Sequence, residues 1–308
     1  MKKILFSLLA VATLIGCGKN DDNGSDSANL LVKKITEKDE DGNLKEVITL
    51  TYQGGRPVSF SEANYENGVQ TGTTVITNIS YEGNFVKRIK VENARRDNSE
   101  QNFTYKDGKV ATKTEKYERN NYTTTYQYSY AGNQLTNVLK SRPTTIYVNG
   151  NVQSGTYYEE RQFTYRGNTV IEVTTQYEKD LNGAVVTDTS YGTNTITYTL
   201  SGGNVVKEVE ENSYSNSVEE YTYDTKSNPL HYITNFVDPD PTNFLEVDNG
   251  KNNILTYKNT REHNGTKNET LSIFEYTYNA NGYPTVVKQY KEKGNGAREF
   301  RGTKEYEY

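Results

Sequence analysis

The 308-residue chain has no tryptophan, one cysteine, one methionine, two histidines and six prolines. With Cys17 alone, no disulfide can close within the chain, and a site of several thiolates is excluded. His231 and His263 lie far apart, with no second imidazole at ligand spacing. Zinc sites and histidine-based triads therefore lack their residues, and both histidines are expected on exposed strands or turns. Apolar residues make up only 33% of the chain and mean hydropathy is -0.88, too little for a thick aliphatic core. The one long apolar run, residues 4–15, is too short to span a bilayer. The net charge of -5 argues against a nucleic-acid partner. No nucleophile–base pairing is visible, so a non-catalytic role is expected.

What the chain has is tyrosine, 27 copies of it, among many threonines, valines and isoleucines, all residues that suit strands. Period-two alternation is common, and no window sustains an apolar period of 3.6 residues. One phrase recurs: two large residues flank a small polar one, and a Gly/Asn turn follows. It is clearest at Phe163-Thr164-Tyr165 before Gly167-Asn168. It returns at Leu50-Thr51-Tyr52, Ile79-Ser80-Tyr81, Phe103-Thr104-Tyr105, Tyr128-Ser129-Tyr130, Ile196-Thr197-Tyr198, Tyr221-Thr222-Tyr223 and Tyr276-Thr277-Tyr278. A second set of turns lies between the copies. Asp41-Gly42, Asn67-Gly68, Asn149-Gly150, Asn182-Gly183 and Asn264-Gly265 are its strong members, and Asp97-Asn98, Asn120-Asn121, Ser215-Asn216 and Gly294-Asn295 its weak ones.

The two sets alternate, so a meander places one set at each end of the sheet. Turn counting predicts an all-β, antiparallel meander of about twenty strands, curled or closed into a wide barrel-like sheet. An open single-layer twisted sheet is the alternative. A closed barrel of that size is expected to be water-filled, flattened or lined by long polar side chains. Pro57, Pro229 and Pro284 follow turns closely, and Pro143 predicts a bend or bulge in the run 139–148. The rhythm stretches over 237–253, which reads as an irregular loop, a short strand at 244–248 and a turn at Asn249-Gly250. No strand has a continuous apolar face, so the β region is expected to stay out of lipid.

Lys2 and Lys3 precede the apolar run, and Leu14-Ile15-Gly16-Cys17 follows it. This resembles the bacterial lipobox, which implies that residues 1–16 are a lipoprotein signal peptide and that Cys17 is lipidated. Residues 17–29 are then a polar, flexible tether and residues 30–308 a single all-β repeat domain. Loss of Lys2 and Lys3 takes the net charge from -5 to -7. Lys19 followed by Asp21 and Asp22 is similar to the surface-export signal of Bacteroidota lipoproteins. It implies an outer-membrane lipoprotein facing the cell exterior, with the periplasmic face as the alternative. The lipid is the only membrane contact expected. Tyr221-Thr222-Tyr223-Asp224 resembles the tyrosine-aspartate repeat of Rhs-type proteins, although Gln53, Glu82, Lys106, Ala131, Arg166, Thr199 and Asn279 replace the aspartate elsewhere. Taken with the lipobox and tether, the mature chain resembles a Bacteroidota lipoprotein domain described as porin-like. That resemblance implies a fold and an envelope location; it assigns no activity and no site residue.

Candidate sites are few. Asp39-Glu40-Asp41-Gly42-Asn43 carries a fragment of calcium-loop spacing without the closing glutamate. Asp238, Asp240, Glu246 and Asp248 converge if the long loop folds back, and their oxygens would suit Ca²⁺; otherwise they are solvated turn carboxylates and no cofactor is expected. The tyrosine ladder reads chiefly as cross-strand packing. Tyr157 and Tyr158 break the rhythm by facing both ways and are the rings to test for stacking on a sugar. The partner expected is a glycan or a surface protein. The alternative function is a hydrolase of unfamiliar type, using acidic residues of 237–253.

Overall fold

Large residues alternating with small polar ones, cut by turns, dictate strand–turn–strand. The computed structural model describes residues 31–92, 98–120, 122–148, 151–186, 192–212, 216–263, 265–293 and 296–308, with only the backbone at 235 and 236. Residues 1–16, Cys17 and the tether to 29 lie outside the described residues. So do Asp97, Asn121, Asn149, Gly150, Ser215, Asn264, Gly294 and Asn295 of the second turn set. The strands are β1 (Lys34–Lys38), β2 (Leu44–Gln53), β3 (Arg56–Glu66), β4 (Val69–Gln70), β5 (Val75–Glu82), β6 (Phe85–Glu92) and β7 (Ser99–Lys106). There follow β8 (Lys109–Tyr117), β9 (Thr123–Ala131), β10 (Gln134–Val148), β11 (Asn151–Arg166), β12 (Thr169–Asp180), β13 (Val185–Val186) and β14 (Asn194–Ser201). The last are β15 (Asn204–Glu211), β16 (Asn216–Ser227), β17 (Asn252–His263), β18 (Thr266–Tyr278), β19 (Pro284–Glu292) and β20 (Arg298–Glu307).

Successive strands pair antiparallel, except that β4 and β13 are two-residue flaps on β3 and β12, which pair onward with β5 and β14. The other 18 form a ring. It closes because β1 pairs with β2 on one side and β20 on the other, with Ile35 opposite both Ile48 and Tyr306. Closure removes the two edges that an open sheet would expose.

The recurring phrase has a structural reason. In Tyr52, Tyr81, Tyr105, Tyr130, Tyr223 and Tyr308 the hydroxyl donates to a backbone carbonyl one hairpin back, at Val32, Pro57, Val86, Val110, Val205 and Pro284 respectively. The last five acceptors each sit beside a β-bulge two residues past a turn. A bulge takes its carbonyl out of the regular ladder, and the next tyrosine satisfies it. The β11–β12 hairpin has no bulge. At the latching position one hairpin on, the chain has Leu200, which has no hydroxyl to donate. Here the phrase is Tyr198-Thr199-Leu200, two residues later than the sequence reading placed it, because the bulge pairs Leu200 with Val205 just ahead of Gly202.

The faces of the ring divide sharply. Outward positions carry exposed cross-strand ion pairs: Lys34–Glu307 and Lys38–Glu305 at 2.7 Å, Lys258–Glu269 at 3.5 Å and Lys207–Glu220 at 3.7 Å. Each such charge would cost about 2–4 kcal/mol at mid-membrane. Inward positions near the phrase turns hold the core, including Ile35, Leu50, Ile89, Phe103, Val138, Phe163 and Val205.

Three expectations are corrected. Residues 229–249 are neither a plain loop nor a strand. They form a helix, α1 (Pro229–Val237), and two 3₁₀ turns, Asn243–Leu245 and Val247–Asn249. Pro229 is therefore not a strand proline: it starts α1 behind the cap Asn228, whose side chain accepts the Leu230 N–H. Pro143 makes no bulge, since β10 pairs with β11 without a shift from Asn137 to Val148. Pairing with β9 stops at Ser141, so Pro143 lies where β10 has a strand on one side only.

Candidate functional site

The segment between β16 and β17 fills the barrel from within. Ile233, Val237 and Leu245 join the wall core, and Phe244 stacks on Tyr165 of β11 with ring centres 6.4 Å apart. The Tyr232 hydroxyl lies 3.5 Å from the Gly55 carbonyl, and Asp240 reaches β8 and β9. A lumen too wide for wall side chains is thus occupied by the chain itself.

Polar stitches hold this plug. The Asn228 side chain donates to the carbonyls of Asp248 and Gly250, joining the two ends of the segment. Asp238 has extended backbone, as a residue before proline requires, and this ends α1. Its carboxylate accepts the Asp240 N–H at 3.0 Å. Asp240 in turn accepts from Thr242 N–H and Oγ, from Tyr128 at 2.8 Å and from Lys113 Nζ at 2.5 Å. Burial opposes the Asp240 charge, yet Lys113 and these donors hold its carboxyl below the usual range. Asp238 is buried completely beside Asp240, and burial raises its carboxyl. Asp238 and Asp240 are therefore core anchors rather than solvated turn residues. His231 also differs from its expected exposed strand: it lies half-buried on α1, and Nδ1–H donates to the Asn249 carbonyl at 2.7 Å. His263 is exposed at the end of β17, as expected.

Glu246 and Asp248 leave the plug in another direction. With Tyr198 of β14, Glu208 of β15, Glu219 and Tyr221 of β16, Leu245 and Val247, they line a cavity of about 260 Å³. The walls are polar and acidic. Glu219 is fully engaged, accepting from the hydroxyls of Tyr221 and Tyr257 and from Asn259. Nearby Glu172 is held by Arg161 at 2.6 and 3.0 Å. Lys304, the other cation of this region, lies 2.9 Å from Glu37. Among the described residues, no ion pair or hydrogen bond reaches the carboxylates of Glu208, Glu246 or Asp248. Burial, then Glu219 and Glu246, pushes Glu208 up to about 7. Glu246 and Asp248 are exposed although protein surrounds them, so water reaches the cavity.

Of the residues proposed from sequence, the structure unites Glu246 and Asp248 at the cavity and places Asp238 and Asp240 in the core. It separates Tyr157 from Tyr158. Tyr157 points inward under Arg142, 4.8 Å from the ring centre. Tyr158 points outward, but Tyr177 stacks on it at 5.1 Å and Lys179 lies over it at 5.2 Å. The ring faces a sugar would need are largely taken. Asp39 accepts the N–H groups of Asp41 and Asn43, an exposed turn. Among the described residues, no group of three or more His, Cys, Asp or Glu side chains could hold a metal ion. Sequence reasoning missed Tyr198, Glu208, Glu219 and Tyr221. Glu219 was signalled, since it stands in phase with Tyr221 and Tyr223 and so shares their inward face.

No family model and no curated protein matches the chain. Among solved structures it is similar to a porin-like protein from Bacteroides vulgatus ATCC 8482, with 13% identity over 90% of this chain and 98% of that one and a TM-score of 0.42. It is also similar to a porin-like protein from Bacteroides uniformis ATCC 8492, with 15% identity over 90% and 97% and a TM-score of 0.43.

Proposed function

We propose that the chain is a lipid-anchored envelope protein, non-catalytic, whose plugged barrel binds a small hydroxyl-rich ligand, a glycan, in the cavity beside the plug. The observation that supports this is the cavity lining. Glu208, Glu246 and Asp248 offer acceptors that no protein donor among the described residues occupies. Sugar hydroxyls are donors that match such a wall. Cys17 carries the anchor and Lys19-Asp21-Asp22 the surface signal, so the protein sits on the outer membrane facing outward. Labelling with an alkynyl fatty acid tests the anchor, and Cys17→Ala should abolish it. Protease shaving of intact cells tests the face; protection would put the barrel in the periplasm.

Calorimetry against glycans selected on an array tests the site. Glu208→Gln/Glu246→Gln should weaken binding about tenfold or more while leaving the unfolding midpoint at pH 5 unchanged. Unchanged affinity would remove the cavity from the function. The hydrolase reading keeps one supporting feature: burial, then Glu219, pushes the Glu208 carboxyl up to about 7, a range that suits a general acid. Turnover of aryl glycosides that Glu208→Gln abolishes would establish it.

A further inference from the structure

The ring has two unlike ends. β1 starts where the phrase turns lie, so the chain leading back to Cys17 leaves from the end the plug covers. Five exposed cations, Lys33, Lys106, Arg166, Lys226 and Lys251, stand around this end. None has an ion-pair partner among the described residues. Arg56 and Lys109 are there too, but they bind turn carbonyls at Gly83 and Gly132. Of the acidic groups beside them, Glu82 is paired with Lys87 at 3.0 Å and Asp224 is held by Asn253 and Tyr278. Asp107 is exposed, and so is Asp248 at the edge of the plug. The opposite rim mixes the signs: it exposes Glu40, Asp41, Glu66, Glu118, Glu211 and Glu262, but also Lys45, Lys116, Arg119, Arg261 and Lys267. Among the described residues, exposed cations thus outnumber unpaired exposed carboxylates at the plugged end, while the two signs are mixed at the opposite rim.

We infer that the plugged end is a docking face for an anionic lipid surface, so that the barrel stands on its phrase turns with the opposite rim away from the membrane. This adds a second membrane contact to the lipid expected at Cys17. Two independent features agree on it. Charge complementarity favours the basic end. Only residues 17–29, expected from sequence as a tether, separate Cys17 from the domain, and β1 begins at this end. An anchor at Cys17 therefore holds the basic end nearest the bilayer. The charge argument does not need the anchor.

The test uses the mature chain with Cys17→Ser, which carries no acyl group; every ladder of the ring lies within residues 34–307. It is sedimented with vesicles of phosphatidylcholine alone or with added phosphatidylglycerol, at low and high salt. Binding should require phosphatidylglycerol and fall with salt. A cation near an anionic surface is worth about fivefold in partitioning, so Lys106→Glu/Arg166→Glu/Lys226→Glu should lose about a hundredfold or more. Lys45→Glu/Lys293→Glu at the opposite rim should bind like the parent. If the triple variant fails to fold, single alanine changes should each cost about fivefold. Equal binding to both lipids, no binding at low salt, or equal loss in the two variants would overturn the proposal. Because no acyl group is present, these outcomes stand apart from failure of lipidation at Cys17.

Discussion

Asp240→Asn is the change that most directly loosens the plug. The Asp240 carboxylate and Lys113 ammonium lie 2.5 Å apart with side chains 12% and 9% exposed. Removing one charge from a buried pair strands the other, at a cost of about 3–5 kcal/mol. Lys113→Met is milder, because Asp240 keeps Tyr128, Thr242 N–H and Thr242 Oγ; about 1–2 kcal/mol is expected. The double variant removes both charges, so its cost should fall short of the sum by at least about 1 kcal/mol. Urea unfolding of the four proteins closes the cycle. At about 2–4 °C per kcal/mol, Asp240→Asn should also lower Tm by about 6 °C or more. Protease cleavage within 228–251 should accelerate in Asp240→Asn before the wall unfolds. A cost under about 1 kcal/mol, with additive effects, would refute the anchoring role.

Three further outcomes follow from the same geometry. Glu46 and Glu208 are both raised from 4.5 to about 7, by burial and neighbouring carboxylates. A carboxyl raised on folding favours the folded state at low pH, and that contribution is lost as pH rises from about 4.5 to 7. Glu46→Gln and Glu208→Gln should therefore each stabilise by about 1–2 kcal/mol at pH 8 and change little at pH 4.5, read by urea midpoints. Gly302 on β20 has φ +139°, and a Cβ there would meet the Lys38 carbonyl oxygen on β1. Gly302→Ala should cost more than about 3 kcal/mol and speed amide exchange in β1 and β20 first. Tyr105→Phe, which frees the Val86 carbonyl, should cost about 1 kcal/mol, whereas Leu200→Tyr should gain nothing because β11–β12 lacks the bulge carbonyl.

Local signals carried the wall and failed at the plug. Period-two alternation and two sets of turns are short-range features, so strand number, antiparallel order and turn placement were legible from residues such as Tyr128-Ser129-Tyr130 and Gly167-Asn168. Closure was left open, because β1 and β20 are joined by a ladder across the whole chain length. The nine residues of α1 are too short for a sustained helical period, and Pro229 and Pro239 bracket them like loop prolines. Asp238 and Asp240 looked solvated because their partner, Lys113, lies more than a hundred residues away. The cavity was half legible: Glu246 and Asp248 were singled out, but Glu208 and Tyr198 meet them only after the plug enters the lumen.

The plug inside the ring is tested most directly by joining it to the far wall. Tyr165→Cys/Phe244→Cys, with Cys17→Ser, places two thiols where stacked rings now lie 6.4 Å between centres. A short bis-thiosulfonate should link them rapidly in the folded protein and slowly in urea, raising the unfolding midpoint. A folded protein whose thiols both react singly, with no internal link, would place the segment outside the barrel.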